Sequence, residues 1–294
     1  RDTLHRHRQL QPAIPTRQAA RLAADPDDNC HDAAQEPALS DPGCADGDQD
    51  MQLRIILNRR RRRALRSLAG DRSGTSLIEF ALGLPLLLLA GLWGIELTHF
   101  AIMNQRVSQL TLELADNASR VGLFSGQTTI QLREADINDV LQQTRLHGSA
   151  IDLTTKGRVT LSSLENVKQS YDTAATQRIH WQRCIGTLSG TSYDSSYGTT
   201  SVTAGTTATQ ADAGTAAPNG MGDAGSQVSA PPNSGVMFVE VNYLYTPLVG
   251  AGWFTSQQRL HYIASFIVRD NRDFSKLYNP APAATKATCD LHSS

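Results

Sequence analysis

The stretch that decides the fold is DRSGTSLIEFALGLPLLLLAGLWGIE, residues 71–96, the most apolar part of the chain. No charged residue occurs from Phe80 to Ile95. A helix that crosses about 30 Å of hydrocarbon needs roughly 20 apolar residues. The predominantly apolar run from Leu77 to Met103 is therefore long enough to span a membrane. It also holds an acidic residue, Glu79, just inside its start.

The residues before this stretch are basic. Arg59 to Arg63 form an unbroken run, and positive charge beside a membrane span stays in the cytoplasm. We therefore expect a cytoplasmic N-terminus and an outer C-terminal part. Basic runs also bind nucleic acid, but this position and the net charge of −1 favour topology over nucleic-acid binding.

The first fifty residues are polar, with scattered Pro, Asp, Gln and Ala, and cannot build a core. Met51 then opens the basic segment. Two interpretations stay open: residues 1–50 are an upstream translation ahead of a true start at Met51, or they are a disordered tail. Residues 51–74 form a basic leader in both cases.

The helix is predicted to continue beyond the membrane. Apolar residues recur at spacings of three and four, which places them in one stripe on a helix. They are Val107, Leu110, Leu114, Ala118 and Val121. We assign residues 75–103 to a transmembrane helix and 104–122 to a helical stalk, whose stripe could also pack on a globular domain.

An α+β domain is expected over residues 123–294. A second helix is predicted in GQTTIQLREADINDVLQQTRLHG, with capping-box spacing at Thr128 and Gln131. Four segments alternate as half-buried strands do: GRVTLSSL, QRIHWQRCIG, VMFVEVNYLY and LHYIASFIV. In the second, Ile179, Trp181 and Ile185 are placed on one face.

The fold class is therefore α+β: a long N-terminal transmembrane and stalk helix, then a small periplasmic domain of a helix and an antiparallel sheet of about four strands. One sheet face should pack on helices and the other should face water. Residues 187–235 are rich in Gly, Ser, Thr and Ala, and we expect a flexible loop that adds nothing to a core. Slack or variable surface is favoured there over an adhesive surface, and Tyr193 and Tyr197 are weak candidates for contacting a partner.

The segment SGTSLIEFALGLPLLLL resembles the N-terminus of type IV pilin-like proteins, most closely that of the TadE-type pseudopilins of the tight-adherence (Flp) pilus system. Those chains share a basic leader, a glycine, a glutamate five residues later and an apolar helix with an early proline. Gly74, Glu79 and Pro85 match these features. VMFVEVNYLYTPL and LHYIASFIVRDNRD also resemble the C-terminal part of TadE-like proteins, whereas the middle of the chain is divergent.

The resemblance implies that a prepilin peptidase cuts between Gly74 and Thr75. The new α-amine of Thr75 would then pair with Glu79 between neighbouring subunits, since an unpaired carboxylate in lipid costs a few kcal/mol. The alternative is that Glu79 only snorkels to the cytoplasmic interface. Pro85 would kink the transmembrane helix.

The function implied is that of a minor pseudopilin or assembly factor of a tight-adherence pilus, and thus a part in cell adhesion and biofilm formation. The implied partners are the prepilin peptidase, other pilins and pseudopilins, the assembly platform and the membrane. The protein would cross a bacterial inner membrane once, with its C-terminal domain in the periplasm, and processing would allow entry into an extracellular pilus. Two alternatives are an uncleaved envelope protein with a ligand-binding outer domain and a type II secretion pseudopilin.

Two of the four cysteines, Cys184 and Cys289, would remain after cleavage at Gly74. Both would then lie on the oxidising side of the membrane, where disulfides persist. We expect an intramolecular Cys184–Cys289 bridge, with an intermolecular pair as the alternative. No C-x-x-C or ligand-spaced histidine predicts a metal site, no enzyme signature occurs, and we expect neither cofactor nor catalysis.

Overall fold

The computed structural model describes residues 57–62, 73–122, 128–249 and 256–293. Residues 57–62 are helical. The chain divides after Arg72, and the second unit, Ser73–Ser294, carries every feature described below. The interpretations of residues 1–50 and of most of the basic leader lie outside the described residues.

A single helix, α1, runs from Ser73 to Arg120 without interruption. Its 48 residues span roughly 70 Å at about 1.5 Å per residue. The predicted apolar stripe is confirmed in its C-terminal half. Val107, Leu110, Leu114 and Ala118 are all buried there, at 0–8% exposure, and Val121, just past the helix end, is half-buried.

The second helix, α2, covers Glu134–His147 and starts later than the sequence predicted. The expected capping box at Thr128 and Gln131 is wrong, because Ile130 instead forms a backbone bridge with Arg272. The helix begins where the Asp136 carboxylate accepts the backbone N–H of Arg133 at 2.9 Å. A 3₁₀ turn at Gly148–Ile151 and a four-residue helix, α3 at Leu153–Lys156, lead into the sheet.

Five antiparallel strands form one sheet in the order β3-β2-β1-β4-β5. Their bounds are β1 Gly157–Val167, β2 Thr176–Ile185, β3 Thr215–Ala216, β4 Ser234–Tyr245 and β5 Gln258–Ile267. The α+β class is confirmed. The expected number of about four strands is corrected to five, because the two-residue β3 adds to the edge of β2 at Arg178 and Ile179.

A β-bulge in β2 corrects the predicted face of one strand residue. Ser163 pairs with Trp181 and Leu164 with Ile179, so His180 is an extra residue in the register. A bulge of this kind shifts the alternation by one residue. Trp181 therefore packs with the α1 core, whereas Ile179 packs with Leu164 on the opposite face.

The face of the sheet expected to meet water is covered by residues 187–233. Met221 and Ala230 from this segment join Phe238 in a second apolar cluster, so the expectation that the segment adds nothing to a core is wrong. At Gly214, with φ at 81°, a Cβ would approach Ile179 O to 2.1 Å. Glycine at this point allows the segment to lie directly against the strand.

Tyr193 and Tyr197 both contact the domain itself. The ring of Tyr197 meets Phe238 edge-on, and its hydroxyl donates to Asp223 at 2.6 Å. Burial, reinforced by that hydrogen bond, raises the pKa of Tyr197 above its usual value. The carbonyl of Tyr193 accepts a hydrogen bond from Asn242 on β4. These tyrosines hold the covering segment on the sheet.

Candidate functional site: the exposed half of α1 and its junction with the outer domain

The N-terminal half of α1 presents apolar side chains on all sides, and no described residue covers it. Exposures reach 73% for Leu77, 72% for Leu87 and 51% for Trp93. In the described part of the chain, α1 is the helix long and apolar enough to cross a membrane. A surface of this kind needs lipid or other apolar helices around it, because water solvates it poorly.

The predicted processing residues lie together in the first two turns of α1. Gly74 is exposed, and a Cβ built on it would meet no atom within 4 Å. Thr75 and Glu79 are exposed and four residues apart, so they share one face of the helix. Pro85 lies inside the continuous helix, and the kink expected there stays a prediction.

Glu96 marks the junction between the exposed helix and the outer domain. Its side chain is only 6% exposed. Oε1 accepts the hydroxyl of Tyr245 at 2.6 Å, and Oε2 accepts the backbone N–H groups of Leu248 and Val249, both at 2.9 Å. One carboxylate on α1 thus binds the end of β4 and the turn that follows it.

Aromatic contacts complete the junction. The Tyr245 hydroxyl also lies 3.0 Å from Nδ1 of His99. Because the hydroxyl proton goes to Glu96, Nδ1 of His99 acts as the donor in this second bond. The ring of Phe100 meets Tyr245 edge-on at 5.0 Å. Burial, together with the Glu96 hydrogen bond, raises the pKa of Tyr245 above its ordinary range, so the phenol stays protonated.

Polar residues near the end of an apolar span, such as Glu96 and His99, are expected to snorkel to the outer interface, and their role in the junction was not predicted. A glutamate and a histidine three residues apart share one helix face, which was the available signal. Their partner is Tyr245, about 150 residues away in the chain. Periodicity within either segment carries no information about such a pairing.

The predicted disulfide is confirmed: Cys184 and Cys289 are bridged, with their Cα atoms 4.8 Å apart. The bond joins β2 to the C-terminal tail. Two backbone hydrogen bonds run beside it, from Cys184 N to Ala287 O and from Gly186 N to Ser293 O. The disulfide and these two bonds therefore hold the tail against the end of β2.

The buried side chain of Arg158 also binds the tail. Its side chain is 1% exposed, and its guanidinium donates to the carbonyls of Gly186, Cys289 and Leu291. Burial lowers the pKa of Arg158, although Asp194 opposes this effect. The buried guanidinium is tolerated because both terminal nitrogens bind carbonyls, whereas Nε has no hydrogen-bond partner and lies 4.0 Å from Asp194.

Buried ion pairs join the other elements of the domain. Arg183 on β2 binds Glu134 at the start of α2, with Nε to Oε2 at 2.8 Å. His180 in the bulge lies 2.8 Å from Glu165 on β1. Throughout the described ranges, no group of three or more His, Cys, Asp or Glu side chains is placed to hold a metal ion.

The predicted site residues thus fall into two separate places. Gly74, Thr75 and Glu79 lie at the start of the exposed helix, and the disulfide closes the tail of the outer domain. Between them lies the unpredicted junction at Glu96. No protein-family model matches the chain, and no curated protein or solved structure is significantly similar to it.

Proposed function

We propose that this chain is a TadE-like pseudopilin, a minor subunit or assembly factor of a tight-adherence pilus that a prepilin peptidase cuts between Gly74 and Thr75. The architecture of α1 carries the proposal. Its first half is an uncovered apolar rod, and its second half is part of the core of an outer domain. A subunit built in this way can wait in a bilayer and later exchange lipid for the helices of its neighbours.

Glu79 supplies the assembly chemistry. It lies one helical turn after Thr75, on the same face. Cleavage turns the Thr75 nitrogen into a cationic amine, and the amine and carboxylate of adjacent helices are then free to pair. A buried ion pair adds little net stability, but an unmatched one is costly, so the pair selects one register between neighbouring helices.

The partners are those that the resemblance to TadE-like proteins implies. They are the prepilin peptidase, other pilins and pseudopilins, and the assembly platform in the inner membrane. The arginines from Arg59 to Arg63 favour a cytoplasmic N-terminus. The disulfide supports an outer location for the domain, because such bonds persist in oxidising compartments.

The test is co-expression of the full chain with a prepilin peptidase, followed by mass measurement of the intact protein. The wild type should appear as a product beginning at Thr75. Gly74→Ala should stay uncut, and a Cβ there meets no atom that would disturb the fold. Gly83→Ala is the matched control: it also adds a Cβ in open space on α1, and it should be cut normally.

Two results would reject the processing step: a wild type that keeps its full mass, or a Gly74→Ala variant that is cut as efficiently as the wild type. The first result would favour the uncleaved envelope anchor.

A second variant separates cutting from assembly. Glu79→Gln should still be cut, but it should no longer co-purify from membranes with the other pilus subunits, because the neutral amide cannot match the Thr75 amine. Glu113→Gln serves as control, since Glu113 is an exposed carboxylate on the outer half of the same helix. Equal co-purification of the two variants would contradict the role given to Glu79.

A further inference from the structure

The outer boundary of the bilayer can be located along α1. Residues Phe80 to Ile95 carry no charge, and Trp93 is half exposed at the end of this run. Tryptophan is enriched where hydrocarbon meets lipid headgroups. Glu96 follows one turn later on the same helix face. We therefore infer that the outer membrane–water boundary lies at the level of Trp93 and Glu96, before the predicted end of the transmembrane helix at residue 103, because Glu96 and Met103 are buried by the outer domain.

The turn after β4 is held at this same level. Both oxygens of Glu96 are used, one by Tyr245 and the other by the backbone of Leu248 and Val249. Pro247 is buried. The side chain of Leu248 is instead 64% exposed. A large apolar side chain is thus fixed, outward-facing, at the level of the inferred boundary.

We propose that Leu248 inserts into the outer lipid surface and gives the domain a second membrane contact beside α1. The proposal rests on the membrane insertion of α1, which the proposed function also requires. Lipid is the occupant because Leu248 is exposed and its backbone is held by Glu96, one turn from Trp93 at the inferred lipid boundary. Contacts at both α1 and Leu248 would fix the tilt of the outer domain relative to the membrane, whereas α1 alone would allow the tilt to vary.

The identity of Glu96 fits this role. A carboxylate accepts only, and its two oxygens serve three donors here. Leucine has a similar size and no acceptor, so it can serve neither the Tyr245 hydroxyl nor the two backbone N–H groups. In a zone of low water content, backbone N–H groups left without acceptors are costly. Glu96→Leu should therefore release the turn that carries Leu248.

The experiment measures depth in lipid at single sites of the full chain. Cys30 and Cys44 are first replaced by serine, and a cysteine at position 248 is labelled with an environment-sensitive fluorophore. The protein is reconstituted in vesicles of phosphatidylethanolamine and phosphatidylglycerol, and parallel samples carry a nitroxide quencher either at the headgroup or midway along the acyl chain. Leu87→Cys, at a 72% exposed position of α1, reports whether the helix is inserted.

Leu146→Cys is the control outside the membrane. Leu146 is 63% exposed, and it adjoins His147, which lies 3.1 Å from Glu113. Glu113 is 17 residues beyond Glu96, which places it roughly 25 Å further along α1 at about 1.5 Å per residue. A label there should show only background quenching.

We expect strong quenching at Leu248→Cys by the headgroup nitroxide and at Leu87→Cys by the acyl-chain nitroxide, and background quenching by both at Leu146→Cys. Quenching at position 87 without quenching at position 248 would overturn this proposal and leave the membrane helix intact. Loss of quenching at position 87 itself would reject membrane insertion, and with it the proposed function. In the Glu96→Leu background, quenching at position 248 should fall by several-fold while that at position 87 is unchanged. Unchanged quenching at both positions would show that Glu96 does not hold the turn.

Discussion

The two halves of α1 belong to one uninterrupted helix but have opposite surroundings. Before Glu96, leucines lie on every side of the helix and stay exposed. After Glu96, apolar residues form a single stripe, and that stripe is buried against the sheet. Apolar residues all around a helix require an apolar solvent, whereas a stripe requires one protein surface. Stability of the outer half and insertion of the inner half should therefore respond to different substitutions.

The strongest way to break the outer half alone is to remove the disulfide. In the chain-entropy model, a bridge across 105 residues contributes about 4–5 kcal/mol to the free energy of unfolding. The double variant Cys184→Ser/Cys289→Ser should lose about that much in urea unfolding in detergent micelles, with Trp181 fluorescence as the probe. The extraction of the protein from membranes by detergent should not change, because it depends on the exposed half of α1.

A urea-unfolding midpoint of the double variant equal to that of the wild type would contradict this prediction. It would mean that Arg158 and the backbone bonds to the tail hold the C-terminal segment without the bridge.

A matched pair of leucines compares the two halves directly. Leu114 is 1% exposed in the core, and Leu87 is 72% exposed on the inner half. Leu114→Ala should destabilise the outer domain by about 2–5 kcal/mol, because it leaves a cavity. Leu87→Ala should leave the unfolding midpoint of the domain where it is. Equal shifts would show that the two halves unfold as one unit.

The sequence predicted the parts of the fold that repeat at a fixed period. The stripe from Val107 to Ala118 indicated the buried half of α1, and the alternation from Val236 to Tyr245 indicated β4. Both follow from geometry within one element. The cysteine pair was also within reach, because few alternatives remained once Gly74 was taken as the processing site.

Features that depend on contacts between different secondary-structure elements could not be predicted from the sequence. The bulge at His180 moves Ile179 to the opposite face of the sheet, and no turn residue in the strand indicates it. Residues 187–233 have the composition of a loose loop, yet Met221 and Ala230 are enough to hold them on the sheet. The partner of Glu96 depends on where β4 ends in space. Nothing local to either residue encodes that position.

Removing a single oxygen atom tests the junction between the two halves of α1. Tyr245→Phe removes the hydroxyl that joins Glu96 and His99. We expect a loss of about 1–3 kcal/mol in the stability of the outer domain, because a buried acceptor is left without its donor. Tyr262→Phe is the control: its hydroxyl binds Asn104 at a half-buried position, and its loss should cost less. Faster amide exchange at Leu248 and Val249 should accompany only the first variant.

The smallest expected effect is a pH dependence confined to the outer half. Burial alone would lower the pKa of His180, but the charge of Glu165 and its hydrogen bond outweigh burial, and the pKa is raised above 6.5. The folded state therefore binds this proton more tightly than the unfolded state. The stabilisation is complete below about pH 6.5 and is lost as pH rises through the folded pKa, by up to about 1.4 kcal/mol per pH unit.

Unfolding curves in micelles between pH 6 and 8 would measure this slope. His180→Asn should flatten it, while replacing the exposed His147 by glutamine should leave it in place. A slope that survives in His180→Asn would assign the effect to another group.

The C-terminal tail, which the disulfide holds against β2, also covers part of a sheet edge. β3 pairs with β2 only at Arg178 and Ile179, which leaves the far end of β2 as an open strand edge. Open edges recruit strands from other molecules and start aggregates. By bonding to Cys184 and Gly186, the tail occupies this edge with the chain's own backbone. If the chain assembles as proposed, neighbouring copies would then lie side by side without joining their sheets.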